Sequence, residues 1–217
     1  MKKLISLIIA LGSLSFLASA NTETSKFEGG RTKQSSGEGK CFDENSHIIN
    51  LGVGIGHAAY YRGISGIHYS SSPVFSLSYE QPWKKRIGPG YLGVGAYAGF
   101  QTELYRYDYS YTYRYGNYYY AHRWNYITTA ARAAYHWDVL NKGKLEAYGG
   151  TIIGLRFQLY HYTSNDPYTN YQEHKNAVYP AFAVFAGGRY YFAKNFAVYS
   201  ELSFGIAYLN AGLSYKF

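Results

Sequence analysis

The sequence predicts an all-β chain: an eight-stranded antiparallel up-and-down transmembrane β-barrel behind a disordered N-terminal leader. Three observations lead there. From Ile48 to the C-terminus, apolar residues alternate with polar or glycine residues at period two, the pattern of strands with two unlike faces. The first twenty residues have the layout of an export signal. Of the 217 residues, 20% are aromatic and only 16% charged, with 28 Tyr and 5 Pro, which excludes collagen-like and wholly disordered chains.

Lys2 and Lys3 give residues 1–20 a basic start, Leu4 to Leu17 an apolar stretch, and Ala18-Ser19-Ala20 a small-residue cleavage pattern. The apolar stretch is short of the roughly 20 residues that a spanning helix needs. Residues 21–46 are mostly Ser, Thr, Gly and charge, and read as a flexible periplasmic leader. A single Cys excludes an intrachain disulfide framework and a cysteine zinc cluster. Cys41 lies too far from the cleavage pattern for lipidation and reads as an idle thiol. Residues 47–217 form the predicted barrel.

The strands follow in order. The first sets Ile49, Leu51, Val53 and Ile55 against Asn50, Gly52, Gly54 and Gly56. The second sets Phe75, Leu77 and Tyr79 against Ser76, Ser78 and Glu80. The third opposes Leu92 to Phe100 on even numbers with Gly93, Gly95, Tyr97, Gly99 and Gln101. In the fourth, Ile127, Ala131, Ala133, Tyr135 and Trp137 oppose Thr128, Ala130, Arg132 and His136. The fifth runs Leu145 to Leu159 on odd numbers against Glu146, Tyr148, Gly150, Gly154, Arg156 and Gln158. Phe182, Val184, Ala186, Tyr190 and Phe192 face away from Ala183, Gly187, Arg189 and Tyr191 in the sixth. Phe196, Val198, Leu202 and Phe204 do the same against Tyr199, Glu201 and Ser203 in the seventh. The last opposes Leu209, Ala211, Leu213, Tyr215 and Phe217 with Asn210, Gly212, Ser214 and Lys216.

A soluble barrel would show the same alternation with its faces inverted. Two features select the membrane form. The polar faces collect Glu80, Glu146 and Glu201 with Arg132, Arg156 and Arg189, a set that can pair inside a lumen. The apolar faces gain large rings at one set of strand ends: Tyr79, Tyr135, Trp137, Tyr190, Phe192, Phe196, Tyr215 and Phe217. Threaded up and down, these lie at the rim of the mostly short connections 81–90, 138–144 and 193–195. The longer connections 57–72, 102–125 and 160–176 fall at the other rim, together with a tight turn near 205–207. Short turns at one rim, long loops at the other and an aromatic girdle describe an outer-membrane barrel. Closure follows from the solvent, because an open sheet edge in lipid strands its N–H and C=O groups.

The C-terminal run Leu213-Ser-Tyr215-Lys-Phe217 resembles the assembly signal of bacterial outer-membrane barrels. Gly187-Gly-Arg-Tyr-Tyr-Phe-Ala-Lys-Asn-Phe-Ala-Val-Tyr-Ser-Glu-Leu202 is similar to the penultimate hairpin of the outer-membrane-protein β-barrel family common in Bacteroidota. Tyr135-His-Trp-Asp-Val-Leu-Asn-Lys-Gly-Lys-Leu-Glu-Ala-Tyr-Gly149 resembles a periplasmic hairpin of that family. The resemblance implies residence in the outer membrane of a Gram-negative cell and insertion by the barrel-assembly machinery. It implies no catalytic residues.

No catalytic, cofactor or metal site is predicted. Gly52-x-Gly54-x-Gly56 and Gly93-x-Gly95 lack the spacing and the following helix of a nucleotide loop; they make room in a narrow lumen beside Tyr97, Tyr148 and arginine side chains. His47, His57, His68, His122, His136, His161 and His174 form no close ligand pair, and no nucleophile elbow is present. Without Lys2 and Lys3 the basic side chains fall from 21 to 19 against 13 acidic. They are scattered, so nucleic acid is not an expected partner. Membrane lipids are, and the chain is expected to be monomeric.

The unusual segment is the Tyr-rich loop 105–120, with nine of the 28 Tyr. Tyrosines on alternate positions would line one face of a hairpin that prolongs two strands past the membrane. They either stiffen that hairpin or form a binding surface. The functional expectation is a structural or surface-interaction barrel with a side-chain-filled lumen. Its alternatives are an adhesion module using loop 105–120, a narrow pore and a lipid-acting barrel enzyme.

Overall fold

The computed structural model describes residues 41–56, 67–83, 86–110, 117–138, 144–168 and 176–217. The predicted signal peptide and the leader through residue 40 lie outside the described residues, as do His57, His174 and the Lys84-Lys85 turn. The described residues contain strands and no helix. The strands are β1 (Ile48–Ile55), β2 (Ile67–Ser71), β3 (Val74–Pro82), β4 (Tyr91–Ser110) and β5 (Asn117–Asp138). They continue with β6 (Leu145–Ser164), β7 (Ala177–Tyr191), β8 (Phe196–Phe204) and β9 (Leu209–Lys216).

Eight of them close the predicted antiparallel barrel. Pairing runs from β1 through β3, β4, β5, β6, β7, β8 and β9, and β9 returns to β1 from Ile48↔Lys216 to Ile55↔Leu209. His47 and Phe217 complete the seam by exchanging backbone hydrogen bonds of 2.9 and 3.2 Å. β2 adds no ninth wall position. It pairs with β4 just beyond β3, from Ser71↔Glu103 to Ile67↔Tyr107. β2 and β3 are one wall strand interrupted at Ser72 and Pro73, where Pro73 has no N–H to contribute to the ladder.

The predicted faces are the observed ones. In β1, Ile48, Asn50, Gly52 and Gly54 are buried and Ile49, Leu51, Val53 and Ile55 exposed; β8 alternates likewise, with Ala197, Tyr199 and Glu201 inside. The outside is an apolar wall: Leu51 is 63% exposed, Ile55 72% and Phe204 70%. A wall of this extent open to water would be an aggregation surface, whereas hydrocarbon covers it at no cost. At the terminal rim the predicted girdle forms, with Tyr135 against Trp137 at 4.8 Å and Phe196 against Tyr215 at 5.0 Å between ring centroids.

Inside, the lumen is filled in layers. Its middle holds a buried ionic cluster. Tyr97, Tyr148, Ile152, Phe185, Val74, Ile206 and Ala207 pack as one apolar cluster against it. The polar-or-glycine expectation for the inward face missed Ile152 and Phe185, since a narrow lumen needs packed volume as well as paired charge. Gly52 shows how tightly it is filled: a Cβ there would lie 2.0 Å from the Tyr199 hydroxyl.

The hairpin expected to prolong two strands forms, with β4 and β5 paired to Ser110↔Asn117. The connection 160–176, expected as loop, also begins as strand, because β5 and β6 stay paired to Tyr120↔Ser164. β2 likewise falls inside the predicted connection 57–72. Cys41 and Phe42 are buried, and Cys41, expected as an idle thiol, packs with Tyr191 and Ala197.

Candidate functional site

The inward faces of β3, β5, β6, β7 and β8 bring Glu80, Arg132, His136, Glu146, Arg189 and Glu201 into one buried cluster. Arg132 is its centre. Its Nε donates to Glu80 Oε1 at 2.5 Å, and its Nη2 and Nη1 donate to the two oxygens of Glu201 at 2.5 and 3.3 Å. Phe185 supplies a ring face 3.8 Å from the same guanidinium. Arg189 Nη1 donates to Glu146 at 2.9 Å, its Nη2 to Asn50 Oδ1 at 3.1 Å and its Nε to Ser214 Oγ at 3.1 Å. The Tyr148 hydroxyl donates to Glu201 at 2.9 Å.

Arg156 is not part of this cluster, contrary to expectation. Its Nη2 reaches the carbonyl of Gly205 at 3.4 Å, and its guanidinium lies 5.9 Å from the Tyr126 ring. Its place is taken by His136, which sits between two carboxylates: Nδ1 bonds Glu146, and Nε2 lies 3.3 Å from Glu80 Oε2. That second approach is an ion-pair contact without an aligned hydrogen bond. With both ring nitrogens facing carboxylates, His136 is in the setting of an imidazolium. Three carboxylates then meet two guanidiniums and one imidazolium, and the buried charges cancel.

The second candidate lies beyond the lipid-facing band. Tyr105, Tyr107 and Tyr109 of β4, Tyr118, Tyr120, His122 and Trp124 of β5, and Tyr160 and Tyr162 of β6 keep the parity of the lumen-facing residues below them. Cross-strand register brings Tyr107 opposite Tyr120 and Tyr109 opposite Tyr118, with His122 opposite both Tyr105 and Tyr162. The rings touch at centroid separations of 5.3 Å for Tyr107 and Tyr120, 5.3 Å for His122 and Tyr162, and 5.8 Å for Trp124 and Tyr160. His122 Nδ1 and the Tyr160 hydroxyl share a 2.5 Å hydrogen bond. Burial among these rings pushes the Tyr120 phenol above its ordinary pKa, with Tyr105 as the next cause.

The far end of this panel is clamped. The Tyr109 hydroxyl donates to Asp166 at 2.8 Å, and the Tyr119 N–H donates to Asn165 Oδ1 at 2.7 Å. On the opposite face Arg106 covers the Tyr119 ring at 4.2 Å and pairs with Asp108 at 2.9 Å. Tyr111, Tyr113 and Tyr115 lie outside the described residues.

The sequence showed the Tyr stripe and five of the six cluster residues, put Arg156 where the structure has His136, and did not show that the panel spans three strands. Tyr160 and Tyr162 carried the signal, at the same alternate spacing on the neighbouring strand.

No protein-family profile and no curated protein matches the chain. Among solved structures it is similar to the N-terminal β-barrel domain of Pseudomonas aeruginosa OprF, at 13% identity and a TM-score of 0.41 over 80% of this chain and 98% of that one. It is similar to Ail, the attachment invasion locus protein of Yersinia pestis, in complex with the heparin analogue sucrose octasulfate (13%, 0.40, 79% and 97%). A second Ail structure gives 13% identity and a TM-score of 0.38, over 79% and 97%.

Proposed function

We propose that the protein is a non-conducting, non-enzymatic barrel of the Gram-negative outer membrane that presents an aromatic recognition surface to the outside of the cell. The apolar outer wall and the aromatic girdle support the membrane assignment. Membership in the Bacteroidota-type family rests on the two hairpins and the C-terminal run quoted above. The filled lumen argues against a pore: ionic side chains occupy its section, and apolar ones lie above them.

The observation behind recognition is the ordered ring panel on β4, β5 and β6. Stiffening a hairpin does not require a third strand with matching rings, while a rigid, half-exposed array of Tyr, His and Trp is the composition of a binding surface. Cells displaying the wild type or the double variant Tyr107→Ser, Tyr120→Ser are compared for adhesion to glycan arrays and to cultured cells at equal surface level. Aromatic anchors typically contribute most of the contact energy, so a loss of about tenfold or more is expected. Equal adhesion by both would overturn the reading.

A further inference from the structure

We propose that Cys41–Ser46 is a seated plug that gates the terminal-rim mouth of the lumen and moves in and out as a unit while the barrel stays folded. The plug presents one ring to the ionic cluster. Phe42 lies flat on His136, with ring centroids 3.9 Å apart and planes 3° from parallel. It covers an imidazole that faces Glu80 and Glu146, so water reaching this side of the cluster must first displace it. Water at that point weakens each charge pair, because the attractions are strong only in a dry medium.

The wall is shaped for this ring. Gly93 of β4 lies beneath the pair, and a Cβ there would meet His136 Nε2 at 2.6 Å and Phe42 Cζ at 3.3 Å. Two donors fasten the plug through its backbone: the Tyr191 hydroxyl at 3.2 Å and Lys216 Nζ at 3.3 Å, both onto the Cys41 carbonyl. The rest of the segment closes on itself. Asp43 N–H donates to Ser46 Oγ at 2.9 Å, Ser46 Oγ to Asp43 Oδ1 at 2.9 Å, Asn45 N–H to Asp43 Oδ1 at 3.0 Å and Ser46 N–H to Asp43 O at 3.2 Å. A turn that carries its own hydrogen bonds can leave the mouth without stranding them, unlike a ladder strand. What must be broken includes the ring contacts of Phe42 with His136 and Tyr91, the packing of Cys41 on Tyr191 and Ala197, and the fastening at the Cys41 carbonyl.

Cys41 is the sole cysteine of the chain and is buried, so it reports the plug's position. The test is labelling of the full-length protein in detergent with a polymer-linked maleimide, read beside the heat-resistant folded band on a gel. Well below the temperature at which the folded band is lost, wild-type Cys41 is expected to label measurably, but more than about tenfold slower than in unfolded protein. Phe42→Ala should speed labelling about tenfold with the folded band intact. Tyr191→Phe, which removes one fastening donor, should speed it about threefold. Labelling that appears only as the folded band disappears would make the segment a fixed part of the core and overturn the gate. Wild-type labelling at the unfolded rate would show that the plug is not seated. An unchanged rate in both variants would overturn the assigned contacts.

Discussion

Arg132 gives three donors to two carboxylates and lays its plane on Phe185, so removing it takes the guanidinium from buried Glu201 and leaves Glu80 with only the longer ion-pair approaches of His136 and Arg189. A broken buried pair costs about 3–5 kcal/mol. Arg132→Ala should therefore lower the temperature at which the folded gel band converts to the unfolded one, and Arg156→Ala, outside the cluster, should lower it much less. Equal shifts would contradict the assignment of the ionic partners. The sequence carried most of this cluster, because a charge at a lumen-facing position needs a partner wherever the strand is placed. It could not separate Arg156 from His136. Both have inward parity, and which one sits level with Glu80 and Glu146 depends on the stagger between strands. Period two fixes a residue's face and leaves its height along the barrel open.

At the scale of the strand, alternation revealed faces and hid ends. β4, β5 and β6 outrun the apolar band because aromatic residues at alternate positions keep pairing across strands after lipid contact stops, and a polar stretch with no apolar partner face reads as loop. Tyr105–Ser110 was therefore legible as one side of a prolonged hairpin, whereas the matching extension of β6 was not. Since the panel stands past the wall, Tyr107→Ser with Tyr120→Ser should leave insertion and heat resistance in detergent unchanged. Loss of the heat-resistant band would make the panel part of the barrel's stability. Protease added to intact cells should cut first at residues 111–116 or 169–175, the connections at the panel end; cleavage restricted to permeabilised cells would invert the topology. β9 acts at the other rim. Phe217 pairs with His47 across the closing seam and stacks on its ring at 5.6 Å. Deleting Phe217, or replacing it with a charged residue, should reduce the folded protein recovered from outer membranes, and normal recovery would count against a role in assembly.

For the whole molecule, wall and filling answer the same solvent. A sheet in hydrocarbon must close, closing eight strands leaves room for little more than side chains, and charges in that space must cancel. The layers follow in order from the terminal rim: Phe42 on His136, the ionic cluster, then Tyr97, Phe185 and Ile152 with Ile206 and Ala207. If this column blocks the passage of ions, purified full-length protein reconstituted in planar bilayers should show no steady conductance under applied voltage. Stable channel openings of porin size would overturn the filled lumen.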